Sequence, residues 1–291
     1  MGRVESIFWM VLCFEVPLNK YVVMGNPIEH SLSPQIHQFF AQESGLVISY
    51  GKHLVPPESF NEAIDLLVDS GHVGFNVTVP FKEDAYKRVD TSDDIASEAQ
   101  AVNTIRVDCE GQLRGFNTDG LGLTRDLVHR HGISVSNSDI LILGAGGATR
   151  GVIGPLLDEK PNSLAITNRS REKGEDLVRR FAKRYPHSNL YFRDLKELDG
   201  SYDLVINATS IGLSGAFDLL GENVVIDKIC YDLSYGSGAS FATWARSVGA
   251  ATSVDGLGML VEQAAESFLI WHDHRPETDL LYELLRAKID E

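Results

Sequence analysis

Lys82 and Asp119 stand among a set of short polar side chains. The segment GFNVTVPFK places Asn76, Thr78 and Lys82 around the carboxyl end of an apolar run. In open α/β sheets that end of a strand is where ligands bind. Asn103-Thr104 and Asn117-Thr118-Asp119 add further amides, hydroxyls and a carboxylate. Groups of this kind suit a small polyhydroxylated ligand. A lysine and a carboxylate within hydrogen-bond reach form a proton-transfer pair for interconverting an alcohol and a ketone. Taken singly, Asn-Thr and Asp-Gly pairs are ordinary turn chemistry. Their weight depends on what lies further along the chain.

What lies there is DILILGAGGATRGVIG, residues 139–154. Ile140-Leu141-Ile142-Leu143 run straight into Gly144-Ala145-Gly146-Gly147, followed by Ala148, Thr149, Arg150 and a helix-like apolar pattern. A continuous apolar run suits a strand buried on both faces of a parallel sheet. Glycines directly after it allow a sharp turn, a close approach to a ligand, and helix amides aimed at an anion. This is the physics of a dinucleotide phosphate site, with Thr149 in place of the third fingerprint glycine. The plainer alternative is a glycine-rich turn closing an ordinary βα unit. In the NAD version of the fold, an acidic residue about 20 positions on receives the adenosine ribose. Here the next strand ends in Asn168-Arg169-Ser170-Arg171, with no acid at its tip. A carboxylate would repel a 2′-phosphate, whereas guanidinium groups grip one. The segment predicts NADP rather than NAD, against a solvated turn with stray arginines.

The net charge of −15 over 291 residues argues against nucleic acid or an anionic membrane as partner, since both need a cationic face. Arg179, Arg180, Lys183 and Arg184 read as the solvated face of a helix. Cys13, Cys109 and Cys230 are far apart and form no CxxC, so neither a zinc knuckle nor a disulfide framework is expected. A cytoplasmic location fits. His129 with His131 and His272 with His274 are i, i+2 pairs, which do not face each other on a helix, so no metal is expected. No Tyr-x-x-x-Lys pair is present. The apolar run at 7–14 is too short to span a bilayer and lacks a small-residue cleavage site. Residues 1–19 are read as an N-terminal extension, for which a start codon placed too early is one origin.

The elements that must position these residues follow a strand–loop–helix rhythm from Lys20 onward. Strands are expected at 21–24, 49–54 and 73–79, with helices at 57–70 and from Ser33, the candidate N-cap, towards Ser44. A hairpin is expected from 103–107 and 112–116. The second unit has helices at 120–131 and 171–183, and strands at 140–143, 163–167, 203–207 and 224–227. Strands alternating with helices mean parallel sheets. Two amphipathic helices, 259–271 and 279–287, close the chain with no strand between them and are expected to pack back on the first unit. The fold class is therefore α/β: an N-terminal substrate-binding domain with a mixed sheet, and a Rossmann-like domain.

The motifs GNPIEHSLSP, GFNVTVPFK, AVNT, GFNTDG, GAGGATRG, NRS, NATSIGL, YDLSY and DGLGMLVEQA, in this order, resemble those of the shikimate dehydrogenase family over nearly the whole chain from Lys20. The resemblance implies reversible NADPH-dependent reduction of 3-dehydroshikimate to shikimate in aromatic amino-acid biosynthesis. It implies Lys82 and Asp119 as the catalytic pair, and Ser31 and Ser33 as ligands of the substrate carboxylate. Thr78, Asn103 and Gln263 would bind ring hydroxyls, with Asn76 nearby and Tyr235 reaching over from the other domain. Gly144, Ala145, Gly146, Gly147 and Ala148 would cradle the pyrophosphate, and Asn168, Arg169, Ser170 and Lys173 the 2′-phosphate. Leu233 and Gly256 match positions beside the nicotinamide, and Asp94 a further cofactor position. The implied domains are 20–119 plus 256–291 for substrate and 120–255 for NADP, in a monomer or homodimer. Where the family often has a TPF-like segment after the YDxxY motif, this chain has Ala239-Ser240-Phe241. Two rival readings remain: a quinate/shikimate dehydrogenase using NAD, and a non-catalytic sensor of the same ligands. An aspartate beside Lys82 favours the charged lysine, a proton donor to a developing alkoxide. The sequence leaves open which of the two moves the proton.

Overall fold

The computed structural model describes residues 18–209 and 220–290. The extension, apart from its last two residues, and Ser210 to Leu213 of NATSIGL lie outside the described residues. The chain begins with β1 (Asn19–Gly25), α1 (Ser33–Glu43), β2 (Ile48–Leu54), α2 (Phe60–Asp69), β3 (His72–Val77), α3 (Lys82–Arg88), β4 (Thr91–Ser92), α4 (Asp94–Ala99), β5 (Thr104–Val107) and β6 (Leu113–Phe116). These six strands form one sheet in the order β2-β1-β3-β5-β6-β4. β1 pairs parallel with β2 and β3, while β3–β5 and β5–β6 are antiparallel. The sheet is mixed, as expected.

A connecting helix, α5 (Asp119–Arg125), runs on into a π-helical turn, Asp126–Arg130. Then follow β7 (Asp139–Leu143), α6 (Gly147–Asp158), β8 (Ser163–Thr167), α7 (Arg171–Arg184), β9 (Leu190–Phe192), β10 (Leu204–Asn207), β11 (Ile229–Asp232), α8 (Ser240–Val248) and β12 (Thr252–Val254). The second sheet is parallel throughout, in the order β12-β11-β10-β7-β8-β9. Its strand order reverses between β7 and β10, the switch point at which such sheets leave a crevice. The apolar run of β7 divides between two cores: Ile140 and Ile142 join one buried cluster, Leu141 and Leu143 the other. Burial on both faces is what an uninterrupted apolar strand requires.

The last two helices, α9 (Leu257–His272) and α10 (Asp279–Asp290), bury Val261, Ala264, Phe268, Leu281 and Leu285 against Tyr21, Ile36 and Phe40 of the first unit. They pack back as their isolation in the sequence required. Three local expectations need correction. The strand assigned to 224–227 is instead Ile229–Asp232; Val224 and Val225 are buried below the second sheet at the end of a 3₁₀ turn. Both runs are apolar, and periodicity cannot say which one a parallel neighbour will pair. Ser33 is the first helical residue and not the N-cap; Leu32 takes that place, and the Ser33 hydroxyl meets that of Ser31. The helix expected at 120–131 is α-helical only to Arg125. Among the described residues no helix is long and apolar enough to cross a membrane, and no three His, Cys, Asp or Glu side chains could hold a metal ion.

Candidate active site

Lys82 opens α3 and Asp119 opens α5, and their side chains meet with Nζ 2.6 Å from Oδ2. Both are largely buried, at 16% and 6% side-chain exposure. The other carboxylate oxygen of Asp119 accepts from the Asn103 amide at 2.8 Å. That amide also reaches Thr118 Oγ1 at 2.9 Å and Gln263 Oε1 at 3.3 Å, while Asn103 Oδ1 accepts the Thr118 N–H at 2.9 Å. Asn103 is held at both ends, which fixes the direction in which it points Asp119. The Asn76 amide donates to the Asn103 carbonyl, to Thr104 Oγ1 and to Ser267 Oγ, at 3.1–3.3 Å. Its oxygen accepts from the Tyr50 hydroxyl at 2.6 Å. Ser31 Oγ and Ser33 Oγ are 3.2 Å apart at the start of α1. Tyr235 packs on the cluster of α1, α9 and α10, its hydroxyl facing the Leu32 backbone between the two serines.

The glycine turn lies next to this network. Gly144 has φ +110°, and a Cβ there would lie 2.9 Å from Thr209, so the turn needs glycine for conformation and space. α6 begins at Gly147 with Gly146 as N-cap, leaving its first amides unpaired within the helix. A Cβ on Gly147 would stand 3.9 Å from Lys82 Cβ, which sets the glycine turn beside the Lys82–Asp119 pair. At the tip of β8 the Asn168 amide donates to the Ser170 carbonyl at 2.9 Å, and Ser170 caps α7 through the Lys173 N–H. Arg171 is committed to Glu175 and Asp194. Arg169, exposed and making no ion pair among the described residues, is the guanidinium left for a phosphate. The residues present thus fit a 2′-phosphorylated dinucleotide. Leu233 and Gly256 meet at the carboxyl ends of β11 and β12, where a Cβ on Gly256 would come 2.3 Å from the Leu233 carbonyl oxygen. Asp94 is not brought to this cradle. It starts α4, and its carboxylate pairs with Arg184 at 3.4 Å, at the far end of α7 from Ser170.

Two contributors were not visible in the sequence reading. Tyr50 lies on an edge strand with no polar motif around it. Ser267 stands four residues after Gln263 on α9, and that helical spacing was the available signal. Behind Tyr50, His37 is fully buried and stacks on its ring at 4.5 Å and 7°. Burial pushes the His37 pKa down to about 3, against about 6.5 unfolded. Its contribution to stability is complete above pH 6.5 and is lost as pH falls towards 3. The melting temperature should fall over that window, and less steeply in His37→Phe; parallel curves would remove His37 as a cause.

The fold and the site together define a dinucleotide-dependent oxidoreductase with separate cofactor and substrate sheets. Comparison with known proteins narrows this. The family descriptions "Shikimate dehydrogenase substrate binding domain", "Shikimate / quinate 5-dehydrogenase" and "Shikimate 5'-dehydrogenase C-terminal domain" match residues 23–105, 126–213 and 256–286. A shikimate dehydrogenase (NADP(+)) of Alkalilimnicola ehrlichii is 47% identical over 93% of this chain and 99% of its own. A shikimate dehydrogenase solved with NADP+ superposes with a TM-score of 0.83 at 33% identity, covering 94% of this chain and 96% of that one. The Thermus thermophilus enzyme, solved with NADP(H) and shikimate, gives 0.79 at 29%, covering 93% and 99%. The chain belongs to the shikimate dehydrogenase family.

Proposed function

We propose that this chain is an NADP-dependent shikimate dehydrogenase, interconverting 3-dehydroshikimate and shikimate. The observation that carries the reading is the buried Lys82–Asp119 contact, joined through Asn103 to a polar network and set beside the glycine turn. NADP, when bound, exchanges a hydride with the substrate carbon. The chain's own residues handle the proton and the orientation. Lys82 is the group we assign to the substrate oxygen, as proton donor in reduction and acceptor in oxidation, with Asp119 holding its ammonium in place. Ser31 and Ser33 are assigned to the carboxylate, and Thr78, Asn103 and Gln263 to ring hydroxyls, with Asn76 behind them. Tyr235 is assigned to the substrate as well, and Leu233 and Gly256, which meet at the ends of β11 and β12, would hold the nicotinamide.

The domain division 20–119 plus 256–291 against 120–255 belongs to the same reading. Its support is that the cores separate almost along that line, with Tyr235 and Met259 as the crossing side chains. A cytoplasmic monomer or homodimer is proposed with it, to be checked by light scattering. The deciding assay is spectrophotometric NADPH formation from shikimate, with NAD and quinate as controls. A preference for NAD, or for quinate, would establish the rival dehydrogenase; tight binding of both ligands without turnover would establish the sensor. Arg169→Ala should raise KM for NADP+ by about 10- to 150-fold, the worth of a charged hydrogen bond, and leave activity with NAD unchanged. Equal effects on both cofactors would show that Arg169 does not read the phosphate.

A further inference from the structure

We infer that Tyr50 is a positioning residue that couples the carboxylate-binding end of the substrate pocket to the end that receives the ring hydroxyls. The inference rests on the functional reading above. Ser33, at the start of α1, and Asn76, on β3, are brought together across β2 by the single phenolic oxygen of Tyr50. That hydroxyl donates its one hydrogen to Asn76 Oδ1 at 2.6 Å. Its remaining capacity is to accept, and the Ser33 hydroxyl is the side chain that faces it on that side. Ser33 in turn accepts from Ser31. The polarity then runs one way, from Ser31 through Ser33 and Tyr50 to Asn76, and from the Asn76 amide to Thr104, Ser267 and the Asn103 carbonyl.

Tyr50 has little freedom to do otherwise. Its ring is stacked flat on the buried His37 and tilted against Trp271 at 6.3 Å. Burial raises its pKa well above the usual tyrosine value, so it stays a neutral donor. An anion arriving at the serines takes the Ser31 hydroxyl hydrogen and competes with Tyr50 for that of Ser33, which is how the two ends of the pocket are coupled. Tyr50 still holds the Asn76 amide, and with it the backbone of Asn103, at a set distance from that anion. Spacing between an anionic group and the ring hydroxyls is a property of the substrate, so Tyr50 sets specificity without touching the reacting carbon.

The test is Tyr50→Phe, which keeps the stacked ring and removes only the oxygen. Parent and variant are assayed with shikimate and with its methyl ester, whose KM or inhibition constant is read, at saturating NADP+. Expected is a rise in the shikimate KM of roughly 5- to 30-fold, the scale of one buried polar group left unpaired. The kcat and the KM for NADP+ stay near the parent values, and the preference for the free carboxylate over the ester shrinks by a similar factor. An unchanged shikimate KM overturns the inference. So does a parallel loss in kcat and in both KM values, or an undiminished preference for the carboxylate. A parent protein inactive on shikimate fails the functional reading itself, which separates the two failures.

Discussion

Lys82→Ala is expected to lose about 10²- to 10⁴-fold in kcat, the usual worth of a positioned acid–base group. The shikimate KM should change far less. The split follows from the geometry. Lys82 is bound to Asp119 at 2.6 Å, and Asn103 and Gln263, which we assign to the substrate hydroxyls, keep their contacts with each other and with Thr118 without the lysine. Removing the amine therefore removes a proton carrier and leaves a pocket. A loss of that size is about 3–5 kcal/mol of transition-state stabilisation at 1.36 kcal/mol per tenfold. Asp119→Asn keeps the shape and the Asn103 neighbourhood but removes the charge that holds the ammonium. If the two residues act as one unit, the double variant will be little worse than either single one. Steady-state kinetics on the three variants decide this, and a kcat unchanged in Lys82→Ala would end the assignment.

The second large effect is on stability. Gly258→Ala is expected to lower the melting temperature by roughly 6–12 °C, corresponding to about 3 kcal/mol for a chain of this size. A Cβ on Gly258 would lie 1.7 Å from Asp126 Oδ1, inside any possible contact distance. Asp126 is fully buried, and its carboxylate receives the Tyr231 hydroxyl at 2.6 Å and Arg130 Nε at 3.1 Å. Arg130 goes on to Glu262 at 2.8 Å and Asp279 at 3.0 Å. Pushing the carboxylate aside thus disturbs the junction of the π-turn, β11, α9 and α10. Breaking a buried ion pair on one side leaves a charge without compensation, on the scale of about 3–5 kcal/mol. Gly51→Ala is the control: it sits on the edge strand β2 with its nearest neighbour 4.0 Å from a built Cβ. Calorimetry on both variants should show a large shift for one and almost none for the other. Equal shifts would mean that Gly258 is not reserved for Asp126.

The parts of this molecule that could be read from the chain are the ones whose physics is local. The passage from Ile140 to Gly147 is a buried strand, a turn and a helix start, each dictated by residues within a few positions of one another. The absence of an acid at Asn168-Arg169-Ser170 is local in the same way. Arg171 shows the limit of such reading: its type suited a phosphate, but its guanidinium is taken by Glu175 and by Asp194, 23 residues on. Strand Ile229–Asp232 was misplaced for a related reason, since its partners lie on β10 and β12 and not beside it in the chain.

By itself the sequence pointed to the α/β class, to a strand–glycine turn–helix passage suited to a phosphate, to NADP rather than NAD, and to the set of polar residues around Lys82 and Asp119. Only the tertiary structure decided which of them meet. The Lys82–Asp119 contact spans 37 residues and the Asn76–Ser267 contact 191. The first exists because α3 and α5 follow β3 and β6, which flank β5 in one sheet, the second because α9 packs against that sheet, and contact across such an arrangement leaves no periodic mark on the chain. Tyr50 and Gly258 belong to the same class. Neither stands in a local pattern that points to its role, and each acquires it from a neighbour delivered by another element.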